Sequence, residues 1–394
     1  LALCTDNLSD PEIALPGDNF SVNLWLADDA SPRTLTGFGH QSDLVWVKHR
    51  GSASINHTVV DTLRGGDRMI TTNTTGAQDN GTHGEITAWN ADGITVADGT
   101  SGTYPKLYFN DLNPFGSGGG NYVGWSWKIG GAPTATNSAT SGAMTANSVA
   151  LDSSLQSSYT PSGSPSLYPT KMSINTTTGM SALTYTGTGN DESIPHGLSV
   201  APELIWVFRL TDAGYFKIIS TTAGSFDFTE YFRTDDTQDY RAGNYWQDTD
   251  PTADVFTIEG SGADSSTNAS GKDFVGYCWH SVEGFSKIGV YDANDNADGP
   301  FIYTGFSPAW VMLKAAGGSD NFNLYDYKRD YNGDRYQLRA DATAAGFSSA
   351  ATQVDMVSNG FKIRTSDTGT NAASKDPYVY MAFAESPFKT SNAR

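Results

Sequence analysis

The sequence predicts an all-β protein: three tandem antiparallel β-sandwiches, jelly-roll or immunoglobulin-like, arising by internal triplication. Three observations predict it. Short alternating or apolar runs bounded by Gly, Asn, Asp and Pro dominate the 394 residues, and helical periodicity is scarce. Charged residues make up only 17%, so solubility falls to Ser, Thr, Asn, Asp and 42 Gly, the residues that supply turn chemistry. Finally, blocks of sequence recur in one order at nearly constant spacing.

The first block is a strand ending in a large aromatic. Phe20-Ser-Val-Asn-Leu-Trp25, Met180-Ser-Ala-Leu-Thr-Tyr185 and Phe285-Ser-Lys-Ile-Gly-Val-Tyr291 close at positions 160 and 106 residues apart. The same two offsets relate the second block, in which Asp43-Leu-Val-Trp-Val-Lys48, Leu204-Ile-Trp-Val-Phe208 and Ala309-Trp-Val-Met-Leu-Lys314 align Trp46, Trp206 and Met312. Pro202 and Pro308 fall in register just before their strands. A third block matches Asp92-Gly-Ile94 with Asn359-Gly-Phe361, a turn entering a strand. The late strand comes last: Asn121-Tyr-Val-Gly-Trp-Ser-Trp127, Asp273-Phe-Val-Gly-Tyr-Cys-Trp279 and Pro377-Tyr-Val-Tyr-Met-Ala-Phe383, with offsets of 152 and 104. The most helix-friendly piece, residues 342–352, contains Gly346 and predicts one or two turns.

These blocks divide the chain into an N-terminal extended segment (1–17), repeat 1 (18–130), a Ser/Thr/Gly-rich linker or long loop (131–172), repeat 2 (173–284) and repeat 3 (285–394). Because the period is domain-sized, the expectation is beads on a chain, with a tight junction at residues 281–284. Leu1 in place of Met predicts a processed or partial product.

Composition excludes several functions. A net charge of −19 with no Lys/Arg-rich run repels nucleic acid and acidic membranes. No apolar stretch approaches the roughly 18 residues of a membrane helix. Two cysteines, Cys4 and Cys278, build neither a disulfide scaffold nor a zinc site. Cys278 aligns with Ser126 and Ala382 between large aromatics, so it is expected to be a small core residue, and Trp125, Trp127, Tyr277 and Trp279 are expected to be core as well. No histidine pair has zinc spacing, no G-x-S-x-G elbow occurs, and Gly116–Gly120 lacks the Lys and helix of a phosphate cradle. The expectation is a protein that is not an enzyme, with no catalytic residues.

Three constellations are candidates for sites. In Asp292-Ala-Asn294-Asp-Asn296-Ala-Asp298-Gly299, oxygen side chains at alternate positions resemble the start of a calcium loop. Asp292, Asn294, Asn296 and Asp298 are therefore the candidate metal ligands and calcium the candidate cofactor. No Glu follows at the twelfth position, so a plain solvated turn is the alternative. The loop Arg241-Ala-Gly-Asn244-Tyr245-Trp246-Gln-Asp248 mixes polar and aromatic groups in the way glycan sites do. Arg241, Asn244, Tyr245, Trp246 and Asp248 are its candidate ligand-binding residues, with a core role for Trp246 as the competing reading. An Asp-x-x-Arg pair, Asp61–Arg64, recurs as Asp326–Arg329, followed by Asp67-Arg68 and Asp334-Arg335, while repeat 2 has Thr221 where Asp is expected. An ion pair or turn cap explains it, with a ligand contact as the alternative.

The segments Asn7-Leu-Ser-Asp-Pro-Glu-Ile13, Leu44-Val-Trp-Val-Lys-His-Arg50, Asp61-Thr-Leu-Arg-Gly65, Tyr122-Val-Gly-Trp-Ser-Trp-Lys128, Asp298-Gly-Pro-Phe-Ile-Tyr-Thr-Gly-Phe306 and Met381-Ala-Phe-Ala-Glu-Ser-Pro-Phe-Lys389 together resemble tandem-repeat virion proteins of marine tailed phages. The resemblance spans nearly the whole chain. It implies a tail fibre, appendage or capsid-surface component located on the virion, with other virion proteins as partners, a host-surface glycan as candidate ligand and a homo-oligomer, a trimer by first guess. A capsid decoration protein without ligand and a secreted polysaccharide-degrading enzyme are the alternatives.

Overall fold

The computed structural model describes residues 11–116, 119–212, 217–224, 226–228, 230–234, 241–242, 244–260, 267–329, 336–348 and 354–387. Strands dominate, and the described residues hold helical turns only of the 3-10 type, at Pro16–Asp18, Pro114–Gly116 and Ala373–Lys375. The chain is all-β, as the periodicity predicts. The expected helical turn at residues 342–352 is replaced by the short strand Phe347–Ser348, with 349–352 outside the described residues.

Three large sheets share one strand order. In the first, Phe20–Leu26 lies beside Asn121–Trp127, then Leu44–His49, Thr58–Asp61, Arg68–Thr71 and Asp79–Asn80. In the third, Ser286–Tyr291 lies beside Tyr378–Phe383, then Trp310–Ala315, Asn323–Asp326, Tyr336–Arg339 and Phe347–Ser348. The second repeats this order from Met180–Thr186 through Asp273–Trp279, Leu204–Arg209, Lys217–Thr221, Glu230–Arg233 and Arg241–Ala242, with three more strands beyond its first. Each large sheet faces a small one: Arg33–Thr36 with Gly93–Ala97 and Glu85–Asn90; Glu192–Pro195 with Val255–Ile258; and Phe301–Tyr303 with Gly360–Ile363 and Val354–Val357.

The aligned blocks occupy matching places. Trp46 pairs across the ladder with Trp125, Trp206 with Tyr277 and Met312 with Met381. The aromatics closing the first strands stack on late-strand rings: Trp25 on Tyr122, Tyr185 on Phe274 and Tyr291 on Tyr378, with centroids 5.6, 5.0 and 5.1 Å apart. Such pairs contribute about 0.5–1.5 kcal/mol beyond burial. The Gly of the third block is required by space. A Cβ on Gly93 would sit 2.0 Å from the Leu35 carbonyl oxygen, and one on Gly360 2.0 Å from that of Ile302.

The central strands are buried on both faces, which explains their unbroken apolar runs. One face meets its own small sheet. Val45 and Val47 pack with Leu35 and Ile94; Ile205, Val207 and Cys278 with Phe256 and Ile258; Val311 and Leu313 with Ile302 and Phe361. Cys278 is a fully buried free thiol, and burial pushes its pKa well above the ordinary thiol value. The opposite faces of all three large sheets meet in one common core. Trp46 lies 5.5 Å from Trp206 and 6.2 Å from Trp310, and Phe232 lies 5.8 Å from Phe322, ring centre to ring centre. Trp125, Trp127, Tyr277 and Trp279 belong to this core. A cavity of about 20 Å³ at its centre is lined from all three sheets, by Trp46, Trp206 and Met312 among others.

Two expectations change as a result. Beads on a chain give way to three sheet pairs closed around a shared centre. Of the two readings of residues 131–172, linker or long loop, the free linker fails, because Val149–Leu151 pairs parallel with Lys171–Asn175, which pairs antiparallel with Met180–Thr186. Its small, polar residues serve turns and edge pairing inside the second sheet. A shared core predicts shared unfolding. Trp fluorescence and exposure of the Cys278 thiol in a Cys4→Ser background should report one coincident denaturant transition. Separate transitions would show that the central core does not couple the sheet pairs.

Candidate functional site

The charged groups singled out by the repeat sit where one large sheet meets the next. Asp61 ends the Thr58–Asp61 strand, and its carboxylate accepts from the Arg64 backbone N–H (2.9 Å) and from Arg64 Nε (2.6 Å). It also accepts from the hydroxyl of Tyr277, 2.6 Å away on the late strand of the second sheet. Asp326 repeats the arrangement. It accepts from the Arg329 backbone N–H (2.9 Å), from Arg329 Nε (2.5 Å) and from Trp125 Nε1 (3.0 Å) on the late strand of the first sheet. The Arg329 guanidinium lies 5.6 Å from the centre of the Trp125 ring. Both ion pairs are buried. Tyr277 and Trp125 occupy the same place in their sheets, so each Asp-x-x-Arg clamps the late strand of a neighbour.

The second sheet breaks the pattern in three places at once. Thr221 stands for Asp, Gly224 stands for Arg, and Met381, which offers no donor, is the late-strand partner. Thr221 and Met381 line one cavity of about 10 Å³. A Cβ on Gly224 would already lie 2.5 Å from Val290 of the third sheet, so nothing the size of arginine fits there. The contact order is cyclic: first on second, second on third, third on first. Of the downstream pair, Asp67–Arg68 is an exposed ion pair, and Asp334-Arg335 lies outside the described residues.

Other polar groups, some half-buried and some fully buried, reinforce the same boundaries. Lys328 reaches from the third sheet pair to the Val22 carbonyl (2.7 Å) and the Glu385 carboxylate (2.7 Å), while Val22 N–H donates to Glu385 (3.2 Å). The fully buried ammonium of Lys48 donates to the carbonyls of His49 (2.9 Å), Ile55 (2.8 Å) and, across the boundary, Thr343 (3.1 Å). Burial brings its pKa down from 10.5 to about 7. His57 accepts from Trp46 Nε1 at 3.1 Å, and burial holds it well below its usual pKa. The Lys48 shift fixes a sign. Between pH 7 and 10.5 the unfolded chain holds the proton and the folded one does not, so this group makes stability rise with pH over that window. Lys48→Met should flatten the rise, measured by urea denaturation at pH 7 and pH 10. An unchanged slope would mean Lys48 keeps its ordinary pKa.

In the predicted ligand loop the structure agrees with the core reading of Trp246 rather than the ligand-platform reading. Trp246 is fully buried, packs against Phe228 and Phe256, and donates to Ser220 Oγ at 2.7 Å. Tyr245 is buried too. Neither ring faces solvent, so the stacking platform is withdrawn. Asn244 and Asp248 are exposed, and Arg241 lies in the strand Arg241–Ala242.

The predicted calcium loop is a clamp. Asn371, fully buried, accepts from the Asn294 N–H (2.8 Å) and donates to Asn294 Oδ1 (3.0 Å) and the Asn296 carbonyl (2.7 Å). Buried Asn268 grips Thr188 and Asn190 in this way, and buried Asn110 grips Asp28 and Ala30. Asp28, Thr188 and Asn294 each stand three residues past the stacked aromatic, so Asn294 holds the same place as the loop anchors Asp28 and Thr188. Asn294 Oδ1 also accepts from the Asn296 N–H and Asn296 Oδ1 from the Asp298 N–H, while Asp298 is 77% exposed and pairs with Lys362 (2.9 Å) and Arg364 (3.6 Å). Asp292 is exposed. A cation here would have to displace Lys362 and the loop's own N–H donors. Among the described residues, no group of three or more His, Cys, Asp or Glu is arranged to hold a metal.

Sequence reasoning missed the three clamping asparagines. They precede the late strand by 11, 5 and 6 residues, so no constant offset reveals them. Their partners do keep the offsets 160 and 106.

A family profile described as a domain of unknown function, DUF7483, matches residues 15–164 and again residues 162–387. The chain belongs to that family. The first match takes in the first sheet pair and most of the 131–172 insertion, and the second takes in the other two pairs. No curated protein and no solved structure matches.

Proposed function

We propose that this DUF7483 chain is a structural component of a phage virion, in a tail fibre, appendage or capsid-surface position, and that its three sheet pairs are diverged copies of one strand-rich unit. The observation that carries the structural role is the shared central core. Three sheet pairs fill one another's apolar faces, and the repeated Asp–Arg pairs are spent on holding neighbouring sheets rather than lining a cleft. Such a body resists deformation and displays loops at fixed positions. The virion placement draws on the resemblance of the repeat blocks to marine phage virion proteins. The recurring strand order, the stacked aromatic pairs and the three asparagine clamps support triplication. The association expected from a single-file string of sandwiches loses its premise here, because the units already cover one another within one chain.

Gold-labelled antibody against the chain, imaged on intact particles, should mark a tail appendage or the capsid surface, and the position marked separates fibre from decoration. Purified particles that carry no label would overturn the proposal. Sedimentation at low and high salt is expected to give a monomer in both. A trimer would return the oligomer to the proposal.

A further inference from the structure

The first and second sheet pairs differ on one side. In the second, residues 131–172 seal the open side of the sandwich. Lys171–Asn175 adds antiparallel to Met180–Thr186 along its length, and Ser166 and Leu167 N–H groups donate to the Ser193 carbonyl on the small-sheet strand, at 3.1 and 3.0 Å. Leu151, Tyr159, Leu167 and Tyr168 pack against the core beneath. In the first pair the same two strands, Phe20–Leu26 and Arg33–Thr36, are both sheet edges among the described residues. Between them runs a groove of about 490 Å³ whose lining includes Val22, Leu24, Arg33, Leu35, Phe38 and Lys328. Leu24 and Leu26 are 39% and 64% exposed.

The edge has its hydrogen-bonding groups in place. Val22 turns its N–H and C=O outward, where Glu385 and Lys328 side chains occupy them. Strand period two puts the backbone groups of Leu24 on the same edge. An unpaired edge of this kind is a template for another strand. The groove lining carries two cations, Arg33 and Lys328, which pair at its margin with Asp28 (3.4 Å) and Glu385 (2.7 Å). A strand bonding Val22 would take its N–H from Glu385 and its carbonyl from Lys328, and an acidic residue on that strand would give the released Lys328 ammonium a new partner.

We propose that this groove accepts an extended strand of another polypeptide, antiparallel to Phe20–Leu26, apolar at alternate positions and carrying an acidic residue near Lys328. The register follows from the second pair. Ser173 lies opposite Ala182, which aligns with Val22, so the residue in the place of Ser173 donates to and accepts from Val22. The neighbouring Met172 N–H points the other way, to the Ser148 carbonyl. Main-chain bonds would supply affinity and the alternate pockets specificity. The inference is independent of virion placement.

The test uses the full chain and two fluorescent peptides, residues 165–176 and the same peptide with Lys171→Glu, read by anisotropy. Saturable binding of both is expected, with the acidic peptide about threefold tighter at low salt and the advantage lost at high salt. Methylating the Ser173 amide should weaken binding at least about tenfold, as one ladder bond and its desolvated acceptor are lost. Leu24→Arg, at an exposed position, should do the same without changing the melting temperature. No saturable binding would overturn the proposal. Binding insensitive to both changes would place the peptide elsewhere and overturn it as well. Tighter binding of the lysine peptide would overturn the acidic character of the partner.

Discussion

Asp326→Ala is expected to lower the unfolding free energy by about 3–5 kcal/mol, the range for removing one partner of a buried ion pair. The loss comes from what remains. Arg329 is wholly buried, with its Nε and backbone N–H aimed at the missing carboxylate, and Trp125 Nε1 loses its acceptor as well. The pair itself need not contribute net stability, because desolvating both charges offsets most of their attraction. Asp326→Ala combined with Arg329→Met should therefore cost less than Asp326→Ala alone. Asp67→Ala, which removes an exposed pair with Arg68, supplies the contrast and should cost at most about 1 kcal/mol. Urea denaturation of the four proteins decides it. A double variant as unstable as the single one would mean that lost packing, not the stranded guanidinium, sets the cost.

Part of this architecture was legible in the chain because it is local. Strand runs, the aligned aromatics and the repeat offsets depend on residues a few positions apart, and the late-strand blocks lie where their alignment puts them. The central core was not legible. Leu44 and Trp46 point to other sheet pairs while Val45 and Val47 point to their own, and an unbroken apolar run reads the same whatever covers its second face. The apolar character on both faces was the available signal, since a free-standing sandwich leaves outer faces polar. The ligand-platform and calcium readings failed for a related reason, while the competing core reading of Trp246 and turn reading of the Asp292–Gly299 run agree with the structure. Trp246 sits among Asn, Asp and Gln in sequence, but its ring meets Phe228 and Phe256, which are distant in the chain or across a turn. Asn294 and Asn296 offered a metal pattern because side-chain oxygens at alternate positions serve Asx turns and cation loops equally. What distinguishes the two is the buried amide of Asn371, 77 residues away. The Asp-x-x-Arg pair was seen and its loss at Thr221 was seen, but its purpose needed the neighbouring late strand.

That purpose yields the second large effect. If each Asp-x-x-Arg is matched to the late-strand residue of the next sheet, then Thr221→Asp should fail where Asp61 and Asp326 succeed. Thr221 is almost wholly buried, and its hydroxyl donates to the Glu203 carbonyl at 2.8 Å and accepts from Ala223 N–H at 3.0 Å. A carboxylate there would meet no arginine, because Gly224 occupies the third position on and presses against Val290. Across the boundary Met381, which has no donor, stands where Tyr277 and Trp125 stand in the other sheets, and Lys314, which lines the same cavity, is held by the Asp320 carbonyl and lies over the Phe232 and Phe322 rings. An uncompensated buried charge costs about 3–5 kcal/mol. The group can reduce that cost by taking a proton, which gives the prediction a sign. Burial without a partner raises a carboxyl pKa in the folded state, so the folded chain holds the proton over a range where the unfolded chain has released it. Stability of the variant relative to the parent should then fall as pH rises from about 4 toward 7. Denaturant titrations at both pH values measure it. A variant within about 1 kcal/mol of the parent at pH 7 would show that the second boundary tolerates a carboxylate without its clamp, and the matched-partner account of the three boundaries would fall.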